Sequence, residues 1–197
     1  MPHNDTRLKV VSAYDQCLNT MPVDKIRVVE VCRLAGISRT TFYGYFENLE
    51  DVPIWLWDYL MDNTLYQAGR RYGCYEAHLR KFQALVDYRR FFLNVFKPTN
   101  YQSVTQHGGR VMLTRLREII QRKSGRELGE NESLQLEFFV TGAKHMTRHW
   151  VRGGMEEPPE RMARVFTDAM PAYALPFLEA DPAYDDAEQL RMEDGRL

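Results

Sequence analysis

The stretch 38-SRTTFYGYF-46 places a guanidinium, three aliphatic hydroxyls and two phenols within nine residues, with two phenylalanines among them. The chemistry these groups offer is hydrogen bonding to a polyanion and to base edges. A guanidinium forks onto guanine, hydroxyls serve phosphates or bases, and phenols reach phosphate oxygens. On a helix Phe42 and Phe46 are i and i+4 and share one face, so with Ile37 they anchor the segment. Arg39, Thr40, Tyr43 and Gly44, and in part Thr41 and Tyr45, are then left facing outward. No set of this kind supports catalysis. The sequence has no G-x-S-x-G, no G-x-G-x-x-G and no cysteine pair at metal spacing, and 142-GAKHMT-147 lacks the second glycine of a phosphate loop. His145 and His149 stand four residues apart on a predicted helix and could share a metal. The residues between them are Met-Thr-Arg, so the glutamate of the zinc hydrolases is missing, and a helical His pair more often packs or faces solvent. The expectation is a non-enzyme with no metal and no cofactor.

These groups need elements to hold them. Leu8, Val11, Tyr14 and Leu18 mark one face of a first helix, ended near Met21-Pro22. Val28, Val31 and Leu34 predict a short second helix, closed by Gly36, with Cys32 as a small apolar side chain against its partner. Ser38 is a suitable N-cap for a third helix to about Phe46. Two short helices around a glycine turn make a helix-turn-helix, with a plain helical hairpin carrying surface tyrosines as the alternative. Asn48 caps a fourth helix, with Asp51 as the acidic partner of a capping box and Pro53 in its first turn. The run 54-IWLWDYLMDNTLYQ-67 is apolar nearly all round, which places this helix between two modules. Further helices are expected at 75–87, 88–96, 101–123, 132–152 and 159–179, with a frayed end after Ala180. Nothing alternates like a strand. The expected fold class is all-α: a small three-helix N-terminal module with a helix-turn-helix over 1–47, a larger helical body over 48–180, and an acidic tail over 181–197.

Composition agrees with a soluble protein. Of 197 residues 44% are hydrophobic and 27% charged, enough for a real core. No apolar run suits a bilayer, and MPHNDTRLKV has no signal-peptide core. Three cysteines without CxxC spacing fit a reducing, cytoplasmic setting. Net charge is −1, but it is unevenly spread: from Glu179 onward seven acids face two bases, while residues 1–46 hold six bases against four acids. The basic bias of the N-terminal part is mild.

Residues 26–52, IRVVEVCRLAGISRTTFYGYFENLEDV, resemble the signature of TetR-family transcriptional regulators. The resemblance rests on Ile26, Val28, Val31, Ala35, Gly36, Ile37, Ser38, Thr41, Phe42, Tyr43, Tyr45, Phe46, Asn48 and Glu50. The later 149-HWVRGGMEEPPERMA-163 resembles the C-terminal segment of one TetR subgroup, in which a Trp ends one helix and Pro-Pro-Glu opens the next. Three positions depart from the pattern. Arg27 stands where the family places a capping Thr or Ser, Leu49 where it places a phosphate-binding Lys, and Gly44 where a longer side chain often reaches a base.

The resemblance implies a bacterial homodimer that binds a palindromic double-stranded DNA operator. A small-molecule effector of unknown identity would release it, making it a repressor. The alternatives are an activator or ligandless regulator of the same fold, and, further off, a small-molecule-binding or hydrolytic helical protein that does not bind DNA. Carried onto this sequence, the DNA-binding residues are Arg27, Ser38, Arg39, Thr40, Thr41, Tyr43, Gly44 and Tyr45. The last two long helices would pair with their copies through Leu134, Phe138, Phe139, Gly142, Met146, Trp150, Met162, Val165, Phe166 and Met170. Candidates to line an effector cavity are Trp55, Tyr59, Phe92, Phe96, Met112, His145 and His149, although aromatics at helical spacing are more often core.

Overall fold

Apolar residues at helical spacing dictate the first element. In a computed structural model, which describes residues 2–97 and 103–184, α1 spans Pro2–Thr20 and buries Val10, Val11, Tyr14, Cys17 and Leu18 along one stripe. The helices α2 (Val28–Ala35) and α3 (Arg39–Tyr43) follow. Between them Gly36 adopts φ 67°, the left-handed conformation that costs glycine least, and the Ile37 N–H closes the turn on the Cys32 carbonyl at 3.1 Å. Ser38 caps α3 by accepting from the Thr41 N–H at 2.9 Å. The α-helix ends at Tyr43, three residues before the expected Phe46, although the Phe46 N–H still reaches the Phe42 carbonyl at 3.0 Å.

The fourth helix, α4 (Asp51–Asp62), begins with the expected cap chemistry. Asp51 Oδ2 accepts from the Asn48 N–H at 3.1 Å, and Asn48 Oδ1 accepts from the Glu50 N–H at 2.7 Å. Its apolar circumference is used on two sides. Trp55 meets the Phe46 ring edge-on at 6.4 Å, toward α3, while Trp57 meets Phe92 at 6.0 Å in the body. The body continues as α5 (Cys74–Asp87), α6 (Arg89–Phe96), α7 (Ser103–Ser124), α8 (Glu130–Arg152) and α9 (Pro159–Asp168). Among the described residues there are nine α-helices and no strand, the all-α class expected. Helix α5 packs along α9, α7 along α8, and α4 bridges α1 and α7. The aromatic centre of the body is Phe82, edge-on to Trp150 at 5.1 Å and to Phe166 at 4.9 Å.

The last helix corrects the expectation of 159–179. It stops at Asp168, followed by a turn and a short 3-10 segment at Leu175–Leu178. Pro171 has no N–H and disfavours α geometry at Met170, so the ladder ends there. Tyr173 then ties the segment back by donating to the Glu132 carbonyl at 2.5 Å. The start expected for the helix over 101–123 and most of the acidic tail, 185–197, lie outside the described residues. Among the described residues no helix is long and apolar enough to cross a membrane.

Candidate nucleic-acid interface and interior cavity

The helix-turn-helix divides its aromatics by burial. Phe42 is fully buried and Phe46 nearly so, their rings tilted to each other at 5.5 Å, whereas Tyr43 is 49% exposed. Packing α3 against α2, with the Phe46 ring against Trp55 of α4, fixes the orientation of a helix of five residues, too short to hold its shape alone. The face so presented carries Arg39, Thr40, Tyr43 and Gly44, all exposed. Ser38 and Thr41 are also exposed, but their hydroxyls bond to each other at 2.8 Å in the cap. They position the helix and have less left to offer a ligand.

Two of the proposed contacts also have partners within the chain. Tyr45 is half-buried against the core with the Arg7 guanidinium 5.5 Å above its ring, because the turn after Tyr43 rotates it away from the Tyr43 face. Arg27 is exposed, yet its Nη1 donates to the carbonyls of Asp24 at 2.9 Å and Ile26 at 3.1 Å. Its own backbone N–H is taken by Glu30 Oε2 at 3.2 Å, so a carboxylate three residues on replaces part of the missing hydroxyl cap. Leu49 is half-buried on the core, and Asp51 turns its charge onto the backbone N–H groups of Glu47 and Asn48. The exposed acids beside this face are Glu47 and Glu50.

The residues expected at a dimer interface fall into two groups. Phe139, Trp150, Met162, Phe166 and Met170 are in the chain's own core, at 3–6% exposure. Helix α8 is apolar on two sides, and packing against α5, α6 and α7 takes the side carrying Leu136, Phe139, Val140 and Trp150. Leu134, Phe138, Gly142 and Met146, four residues apart in turn, remain on the outer side, with Phe138 84% exposed. Val165 of α9 is exposed as well.

Of the residues offered for a ligand cavity, Met112 lines both of the cavities described below. Trp55 and Tyr59 stack on each other at 5.3 Å at the junction of α4 with the N-terminal helices, and Phe92 and Phe96 are plain core. His145 and His149 are exposed on α8. Aromatic periodicity marked buried faces, and most of those faces are filled by other side chains.

Among the described residues, two narrow cavities of about 20 Å³ each lie deeper in the body, with room for about one water apiece. Leu65, Tyr66 and Met112 form the wall between them. One contains Trp57, Lys81, Gly108 and Thr147, contributed by α4, α5, α7 and α8. The Lys81 ammonium is 2% exposed and donates to Thr147 Oγ1 at 2.8 Å, and that hydroxyl donates to the Ala143 carbonyl at 2.8 Å. The rings of Phe82 and Phe166 lie 4.5 and 4.7 Å from Nζ. Burial pulls the Lys81 amine down to about 7. His78, one turn earlier and equally buried, is held neutral: burial first, and the Lys81 charge second, lower it to about 3. Burial also raises the Tyr66 phenol above its usual range, so it keeps its proton. Tyr66 Oη and Trp57 Nε1 lie close enough to interact, yet neither completes a hydrogen bond of normal geometry.

Lys81 was missed because Arg80-Lys81 reads as a solvated pair of charges. The signal was in the spacing: Cys74, Ala77, His78, Lys81, Phe82 and Leu85 are one buried stripe of α5, with two polar residues at core positions.

Comparison with known proteins follows the same outline. A TetR C-terminal family, described as "Transcriptional regulator C-terminal region", matches residues 74–171. The chain is similar in structure to the dihydroxyacetone kinase operon activator DhaS, with a TM-score of 0.57 and 16% identity over 88% of this chain and 98% of that one. It is also similar to a TetR-family transcriptional regulator from Streptomyces coelicolor, with a TM-score of 0.56 and 15% identity over 97% of this chain and 100% of that one. At these identities the shared property is the fold. No curated protein matches the sequence significantly.

Proposed function

The chain belongs to the TetR family of transcriptional regulators, non-enzymatic proteins that bind DNA as dimers, and from that premise we propose that it represses transcription from a palindromic operator until a small molecule enters its interior. Residues 1–47 form the DNA-binding module in this reading, and 48–180 the regulatory and dimerisation body. The observation that carries it is the exposed row Arg39, Thr40, Tyr43 and Gly44, held by the buried pair Phe42 and Phe46. Arg39 is the candidate base reader, while Tyr43 and Thr40 serve phosphates.

The partner copy would sit on the outer stripe of α8. Leu134 to Met146 extends about 18 Å along the helix at 1.5 Å per residue, and Gly142 in its middle lets another helix approach closely. Two recognition helices related by a two-fold axis enter major grooves about 34–36 Å apart.

The switch runs through α4. Trp57 lies against the cavity and Trp55, two residues away, against Phe46 of the recognition module. Gly108 lets the Trp57 indole approach α7 so closely that a Cβ there would stand 2.5 Å from Nε1. Asp58 of α4 and His107 of α7 pair beside it at 2.7 Å. A ligand that bears on Trp57 from the cavity shifts α4, and with it the spacing of the two recognition helices. The ligand shifts the population by its differential affinity for the two arrangements.

Footprinting on the DNA flanking the chain's own gene tests the reading. A two-fold symmetric protected site is expected, and a single asymmetric half-site bound by a monomer would refute it. A reporter driven from that site distinguishes repression from activation.

A further inference from the structure

The polar groups of the interior are unbalanced. Lys81 Nζ has one hydroxyl partner for three N–H donors, and Trp57 Nε1 and Tyr66 Oη, on side chains more than nine-tenths buried, lie near each other without completing a hydrogen bond of normal geometry. All three residues line the same cavity. The charges lean the same way. Lys81 and Lys144 line this cavity, Arg70 and Arg115 line the adjoining one, and none of the described residues lining either is acidic. A buried cation without a carboxylate is costly, and buried donors left without acceptors are costly as well. A single ligand acceptor with a negative charge answers both deficits.

We propose that this cavity takes a small organic carboxylate, whose anionic head is held by Lys81 Nζ, the Trp57 indole N–H and the Tyr66 hydroxyl, and whose apolar body lies along Met112 and Val140. The inference rests on the regulatory reading above and names the chemical class of its effector. The rest of the lining is aliphatic and aromatic, which suits an apolar body and disfavours a strongly hydrated dianion such as inorganic phosphate. In the closed arrangement the cavity has room for about one water, so the body must enter by displacing a side chain. Met112 is placed for this: it is part of the wall between the two cavities, and an unbranched thioether repacks easily. Its displacement joins the two spaces. Gly108 is needed for the indole to sit here, since any side chain there would collide with Nε1.

The test pairs acids with their neutral isosteres. Phenylacetate, benzoate and octanoate are each compared with the matching primary amide, by calorimetric titration of the full chain without DNA and then by release of fluorescent operator DNA. At least one acid should bind, and its amide should bind at least tenfold more weakly. Lys81→Met should remove the preference for the acid. Tyr66→Phe, which keeps the ring, should weaken the acid several-fold and leave the amide unchanged. Equal binding of acid and amide, no binding by any acid of the panel, or an undiminished acid preference in folded Lys81→Met would overturn the proposal. An acid that binds with the expected preference but releases no DNA leaves the carboxylate site standing and overturns the regulatory reading. Release of DNA by the amides alone does the reverse.

Discussion

Lys81 makes a stability prediction that can be worked from its surroundings. The folded chain holds the amine at about 7 against 10.5 for the free side chain, a depression of about 3.5 units. At about 1.36 kcal/mol per unit, that is a ceiling of about 5 kcal/mol by which a charged Lys81 destabilises the fold at low pH. The sign follows from proton counts. Between about pH 7 and pH 10.5 the unfolded chain holds a proton that the folded chain has lost, so stability rises with pH across that window. From about pH 7 to about pH 9 the rise due to Lys81 alone should be about 2 kcal/mol. The groups facing Nζ do not obscure this. His78 is already neutral there, the Thr147 hydroxyl does not titrate, and Phe82 and Phe166 carry no charge. The buried cysteines work in the opposite direction, because burial raises Cys17, Cys32 and Cys74 and the unfolded thiols lose protons first, but they cancel between wild type and variant. Lys81→Met should therefore be more stable at about pH 7 by about 2–4 kcal/mol, below the ceiling because the contacts with the two rings and Thr147 are lost. Thr147 keeps its bond to the Ala143 carbonyl and is not orphaned. The assay is urea unfolding followed by helical circular dichroism at the two pH values, with protomer concentration held fixed. A variant less stable than wild type, or one with the same pH slope, would refute the assignment of a buried, unpaired amine.

Four further outcomes are expected. Phe42→Ala removes a fully buried ring and should cost about 3–5 kcal/mol, read by chemical unfolding, with loss of DNA binding. Arg39→Ala should leave the melting temperature unchanged and relax discrimination at one base pair by about 1–3 kcal/mol, read by competition between operator variants; equal loss on all sequences would make it a phosphate contact. Phe138→Glu, at a position 84% exposed, should leave the protomer folded and yield monomers by sedimentation, and a dimer that persists would move the interface elsewhere. Gly108→Val sets a side chain against Trp57 Nε1 and should cost about 1–3 kcal/mol by overpacking while lowering operator affinity without effector. Unchanged affinity in that variant would remove α4 from the switch.

What the amino-acid sequence determined by itself was local. Gly36 at the turn, Ser38 at the cap, Asp51 three residues after Asn48, and Phe42 with Phe46 at i and i+4 act within a few residues of one another. Their conformational and hydrogen-bonding preferences do not depend on what packs above them. For the same reason the all-α class and most helix ends were legible, and the stop at Pro171 should have been. Which apolar face goes inward is not a local matter. Helix α8 offers Leu134, Phe138 and Met146 on one side and Leu136, Phe139 and Trp150 on the other, and periodicity alone does not rank them. Packing against α5, α6 and α7 buried the second set and left the first exposed. The cavity was less legible still, because its donors come from α4, α5 and the segment between them, and its walls from α7 and α8. A lysine in a charged dipeptide becomes a buried amine when the helix carrying it turns that face to the core, and only long-range packing decides that burial.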